Sequence, residues 1–209
     1  MTVEPKVVAT DQDMVTKRTA AARAAGRPGP NGAGPLPAAL ALFADLNQAG
    51  LRYCHWKSNI RLAEALAGRT DLDLLVDPDQ AHRFKAILAR HDVKRTIAAP
   101  GKRYPDVENY LGFDAATGRQ FHLHVHYQLV LGEQFVKNYR LPLTKRFLDS
   151  TRVAQGVQIP APELELAVFA LRALLKYRDR DALKDALNIR RPGLPRAILV
   201  EVNYLQAQV

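Results

Sequence analysis

The chain has 209 residues, 47% of them hydrophobic, and carries 30 Lys and Arg against 21 Asp and Glu, a formal net charge of +9. There is apolar material for one core of ordinary domain size, but no apolar run long enough to span a bilayer and no apolar leader, so neither a membrane segment nor a secretory signal is expected. A single cysteine, Cys54, excludes an internal disulfide and suits a reducing, cytoplasmic setting.

Residues 1–34 are rich in Ala, Gly, Pro, Thr and charge and read as a disordered tail, since they bury too little apolar surface to offset their ordering entropy. From Pro37 to Ala49, Leu40, Leu42, Phe43 and Leu46 recur at helical spacing, and Gly50 supplies a stop. Leu51–Trp56 reads as a short strand running into the turn Lys57-Ser58-Asn59, followed by a helix from Ile60 to Leu66 that Gly68 closes. After the capping sequence Asp77-Pro78-Asp79, a helix from Gln80 to His91 buries Ala81, Phe84, Ile87 and Leu88.

Val93–Ala98 suits another strand, and Pro100–Pro105 is a basic loop. Val107–Asp114 and Arg119–Val130 read as paired strands joined at Ala115-Ala116-Thr117-Gly118, while Gly132–Asp149 reads as a polar connection. From Glu163 to Leu187, Leu164, Val168, Leu171 and Leu175 argue for an amphipathic helix, with Arg172 and Lys176 on a solvated stripe. Residues after Pro192-Gly193 are weakly patterned.

Two stretches carry chemistry. In Gly68-Arg69-Thr70-Asp71-Leu72-Asp73-Leu74-Leu75-Val76-Asp77, strand alternation points Leu72, Leu74 and Val76 into a core and Asp71, Asp73 and Asp77 to the other face. Carboxylates two apart on one face repel, an arrangement that a shared divalent cation or proton relieves. In the second stretch Phe121, Leu123, Val125 and Tyr127 alternate with His122, His124, His126 and Gln128, so three imidazoles share a face.

With these motifs the chain resembles the nucleotidyltransferase superfamily, which contains DNA polymerase beta, the aminoglycoside nucleotidyltransferases and the small bacterial minimal nucleotidyltransferases. Lys57-Ser58 stands where the family has a Gly-Ser pair opening a helix, and Asp71-Leu72-Asp73 follows about a dozen residues later. Tyr53-Cys54-His55-Trp56-Lys57-Ser58-Asn59 and His122-Leu123-His124-Val125-His126-Tyr127 look more narrowly like uncharacterised bacterial nucleotidyltransferases, some accompanying a thymidylate-kinase-like domain or protein.

The resemblance implies an α+β fold: a small mixed β-sheet flanked by helices, with a nucleotidyltransferase-like domain over 37–160 and a C-terminal helical segment over 161–209. It implies transfer of a nucleoside monophosphate from a nucleoside triphosphate to an unknown acceptor, with Mg²⁺ or Mn²⁺. Asp71 and Asp73 would be catalytic metal ligands, joined by His124 where the family has a third acid. Lys57, Ser58, Asn59 and Arg69 would hold the nucleotide. Neutral imidazole ligates Zn²⁺ or Mn²⁺ better than Mg²⁺.

Other readings follow from the same residues. His122, His124 and His126 also match the His-x-His-x-His of metal-dependent hydrolases or cupin-like barrels, but that predicts an all-β chain, against four helical stretches. A non-catalytic binding or regulatory module on the same fold is the main alternative. The net charge permits nucleic acid, yet the basic residues are scattered and not interleaved with aromatics.

Overall fold

A computed structural model describes residues 34–133, 136–176 and 196–209. The expected tail lies outside the described residues except for Gly34, as does the part of the long helix beyond Lys176. The first helix, α1 (Pro37–Gln48), starts with proline, whose missing N–H costs nothing there, and ends at Gly50 in the left-handed region (φ +61°). Leu36 precedes it without a side-chain cap; instead Asp114, a buried residue 76 positions away, accepts the Ala38 N–H at 2.9 Å.

The central sheet holds β1 (Tyr53–His55), β2 (Leu72–Val76), β3 (Lys94–Thr96), β4 (Val107–Asp114) and β5 (Arg119–His126), in the order β1-β2-β5-β4-β3. Only β2 and β5 are parallel, so the sheet is mixed and the fold is α+β. The chain passes between them through α3 (Ala81–Arg90), β3 and β4. Between β1 and β2 lie a 3₁₀ turn (Asn59–Arg61) and the five-residue helix α2 (Leu62–Leu66).

One sheet face meets the helices. Leu72, Leu74, Val76, Leu123 and Val125 are fully buried with Leu42, Phe43 and Leu46 of α1, Leu66 of α2 and Phe84 of α3. Each such side chain contributes about 1.5–3 kcal/mol by leaving water. Leu40, expected on the buried stripe of α1, is 39% exposed, and Ala39 takes the inward position.

The other face is covered too, by strands and a short helix as well as by the C-terminal helical segment. The strand foreseen to Val130 breaks at Tyr127-Gln128, and Leu129–Glu133 (β6) pairs instead with Val136–Leu141 (β7) as a separate hairpin. Part of the supposed polar connection is thus strand, and Thr144–Asp149 is a helix, α4. A second hairpin, β8 (Arg152–Ala154) with β9 (Val157–Ile159), precedes α5 (Pro162–Lys176), against which α6 (Arg196–Gln206) packs. Cys54, Trp56, Leu75, Leu129, Leu131, Phe147, Leu148 and Val168 form this second apolar cluster.

No helix among the described residues is long and apolar enough to cross a membrane.

Candidate metal centre

Parallel pairing of β2 with β5 places Asp73 opposite His124 and Leu75 opposite His126. Paired residues share a face, so the alternation that buries Leu72 and Leu123 turns Asp73 and His124 together toward the second cluster. His124 Nδ1 is 3.0 Å from Asp73 Oδ1, and the Lys57 ammonium approaches the same oxygen at 2.7 Å. His126 is buried and stands edge-on to His124, with ring centroids 4.6 Å apart, and to Trp56, at 5.1 Å. One ligand atom from each of Asp73, His124 and His126 lies within 4.8 Å of the others.

Burial opposes ionisation of Asp73. The hydrogen bond with His124 and the Lys57 charge together outweigh it and hold the carboxyl well below the usual carboxylate range. The centre therefore contains a fixed anion between an imidazole and an ammonium.

Asp71 lies just before β2 and repeats the arrangement in an exposed position, its Oδ1 2.9 Å from His122 Nδ1. Of the anticipated Asp71, Asp73 and His124, the structure brings the last two together with His126 among the described residues, while Asp71 meets His122. The signal for His126 was present in its spacing of two from His124. Asp77 does not extend the acidic face: the fully buried Leu75 intervenes, and Asp77 accepts from Arg52 at 2.7 Å and caps the Asp79 N–H at 3.1 Å.

The residues foreseen as nucleotide ligands fall in different places. Lys57 belongs to the centre. Ser58 is half-buried, and its left-handed backbone (φ +55°) turns the chain so that Asn59 points inward. The Asn59 main-chain N–H donates to Glu165 Oε1 at 2.9 Å, its amide nitrogen to Glu165 Oε2 at 2.7 Å, and its Oδ1 lies 2.7 Å from His55 Nδ1. Those groups are committed to a bridge between the turn and α5, so the phosphate role anticipated for Asn59 is not what this geometry displays. Arg69 is exposed in the loop before Asp71.

Arg172 was expected on a solvated stripe. Its guanidinium instead lies 5.7 Å from the Trp56 ring centroid, and Lys57 Nζ lies 4.9 Å from the same ring. Burial lowers the Arg172 pKa, against the pull of Glu201, Asp73 and Glu165. His124 also lines a cavity of about 340 Å³ that includes Arg95 and Arg103.

Compared with known proteins, the chain matches no family model, no curated protein and no solved structure.

Proposed function

We propose that the chain is a metal-dependent nucleotidyltransferase domain of the superfamily its motifs resemble, moving a nucleoside monophosphate from a nucleoside triphosphate to an acceptor hydroxyl. The observation that carries this reading is the convergence of Asp73, His124 and His126 beside an arginine-lined cavity. One carboxylate with two imidazoles fits Mn²⁺ or Zn²⁺ better than Mg²⁺, which prefers an all-oxygen shell. A divalent ion held by these three residues would neutralise phosphate charge and acidify a hydroxyl.

The chain's own groups supply the rest. Asp73, ionised, accepts from His124 Nδ1 and so favours the tautomer whose Nε2 keeps its lone pair. Lys57 brings a positive charge to the same point and can pass it to a phosphate oxygen. As the acceptor oxygen bonds to the α-phosphorus, the bond from that phosphorus to the β-phosphate oxygen breaks and pyrophosphate leaves. Asp71, an exposed carboxylate beside His122, would take up the acceptor's proton. The lone, fully buried thiol of Cys54 suits a cytoplasmic setting.

A specific observation favours a second reading, a non-catalytic binding module. The Lys57–Asp73 ion pair already balances the carboxylate, and Asn59 faces Glu165 instead of a ligand. Calorimetry with Mn²⁺, together with a screen of labelled nucleoside triphosphates for label transferred to the protein or to lysate components, separates the two. Transfer that requires Mn²⁺ and is lost in Asp73→Asn supports the enzyme. Mn²⁺ binding that Asp73→Asn leaves unchanged removes the assignment.

A further inference from the structure

Lys57 is carried by a turn that is pinned at both ends. On one side the Trp56 main-chain N–H donates to the Asp73 carbonyl at 3.0 Å, which ties the residue after β1 to the residue of β2 whose carboxylate belongs to the metal group. On the other side the Asn59 main-chain N–H and amide nitrogen donate to the two oxygens of Glu165, at 2.9 and 2.7 Å. Only Lys57 and Ser58 lie between these anchors, so β2 and α5 jointly set where the Lys57 main chain runs. The Lys57 ammonium closes the loop, 2.7 Å from Asp73 Oδ1.

Two features of this turn cost free energy. Ser58 has φ +55° and ψ +39°, a left-handed conformation that a Cβ disfavours. Glu165, 4% exposed, puts a carboxylate where burial is unfavourable unless its oxygens are satisfied. The oxygens that satisfy the donors of Asn59 also hold the chain in the Ser58 conformation, and Asn59 is locked from behind, its Oδ1 2.7 Å from His55 Nδ1. Simple chain reversal is met at lower cost by a glycine and a neutral cap. Here both costs fall on the turn that aims Lys57. Arg172, seven residues after Glu165 and so on the same face of α5, lies 5.7 Å from the Trp56 ring, a second contact between α5 and this turn.

We propose that Glu165 is a positioning residue for the metal centre: by holding both donors of Asn59 it fixes the Ser58 turn and keeps the Lys57 ammonium on Asp73. A side chain 106 positions from Asn59 thereby pre-orders a cation, which can then meet a phosphate with little further ordering cost. That use in nucleotidyl transfer rests on the proposed function, whereas the hold on Lys57 does not.

The test reads Lys57 itself. The full chain, in EDTA and without nucleotide, is acetylated at a single pH with sulfo-N-hydroxysuccinimide acetate, and the rate at Lys57 relative to the exposed Lys145 of α4 is followed by peptide mass spectrometry. Glu165→Gln turns one acceptor into a donor facing the Asn59 amide, and the relative rate should rise by about fivefold or more. Glu165→Asp keeps the charge but draws the oxygens back, and carries the same expectation should the first variant not fold. Glu165→Gln/Asn59→Asp reverses the polarity of one bond and keeps the net charge, so the rate should return to within about twofold of the wild type. Ile87→Ala loosens the core on the opposite face of the sheet and should leave the ratio unchanged. Rates indifferent to Glu165, or raised as much by Ile87→Ala, overturn the proposal, as does a double variant that reacts as fast as Glu165→Gln. With neither metal nor nucleotide present, failure of the nucleotidyl-transfer reading leaves each of these outcomes readable.

Discussion

His124 Nδ1 and Asp73 Oδ1 are 3.0 Å apart across the one parallel strand pair of the sheet. The carboxylate holds the ring within the candidate metal group. Replacing nitrogen by oxygen at this position should change which ion the site accepts. For His124→Asp we expect the ratio of Mg²⁺ to Mn²⁺ affinity to rise by about tenfold or more. Calorimetry with each ion measures it, and an unaltered ratio would show that His124 is not a ligand.

The Lys57 ammonium competes with any cation for Asp73, from 2.7 Å. Lys57→Gln keeps a donor but removes the charge, so in the absence of nucleotide Mn²⁺ affinity should increase by roughly tenfold. Nucleotide affinity should fall in the same variant, because a cation that could meet phosphate is gone. A variant that loses thermal stability with Mn²⁺ affinity unmoved favours the non-catalytic module.

Glu165 is buried, and burial pushes its carboxyl above the ordinary value of 4.5; Glu201 pushes the same way, while the two donors of Asn59 and the charge of Arg172 act against them. A raised folded-state pKa means that its contribution to stability is complete below the unfolded value and is lost as pH rises through the folded one. Glu165→Gln cannot ionise and escapes that loss, though it gives up one of the Asn59 bonds. Its melting temperature relative to the wild type should therefore climb as pH increases from about 4.5 toward neutrality. His55, joined through Asn59, is lowered by burial and slopes the other way, but it is present in both proteins. Parallel melting curves against pH, followed by circular dichroism, would contradict the prediction.

Gly68 closes α2 at φ +66°, and a Cβ there would run into the Gln120 main-chain carbonyl and come within 2.9 Å of Leu36 Cδ1. Gly68→Ala should cost about 2–4 kcal/mol in urea unfolding, from backbone strain and displaced main chain together. At Gly118, also left-handed but with open space around it, alanine should cost only about 1 kcal/mol. Equal losses at the two positions would mean that close approach to Gln120 contributes nothing.

Much of the fold was legible because it depends on short-range periodicity. The spacing of Phe84, Ile87 and Leu88 identified α3, and the alternation of Leu72, Leu74, Leu123 and Val125 identified two strands and their inward faces. The same alternation put Asp73 and His124 on outward faces before any contact between them was known. Where both faces of an element are buried, that signal weakens. β6 gives Leu129 and Leu131 to the second apolar cluster and lacks a polar face, while β8 and β9 are strands of three residues each, too short to announce themselves.

Sequence alone determined the chemical types and their faces: acids at 71 and 73, imidazoles at 122, 124 and 126, a basic turn around 103. The tertiary structure decided which of them meet. Only the parallel register of β2 on β5 sets Asp73 against His124, and only the cover provided by β6, α4 and α5 buries His126 beside Trp56 and makes it a partner of Asp73 and His124. Asn59 reaches Glu165 across 106 positions, and Arg95, Arg103 and His124 meet around one cavity from three separate segments. Such encounters depend on packing between elements, because local propensity acts over a few residues and carries no information about which surfaces will close on each other.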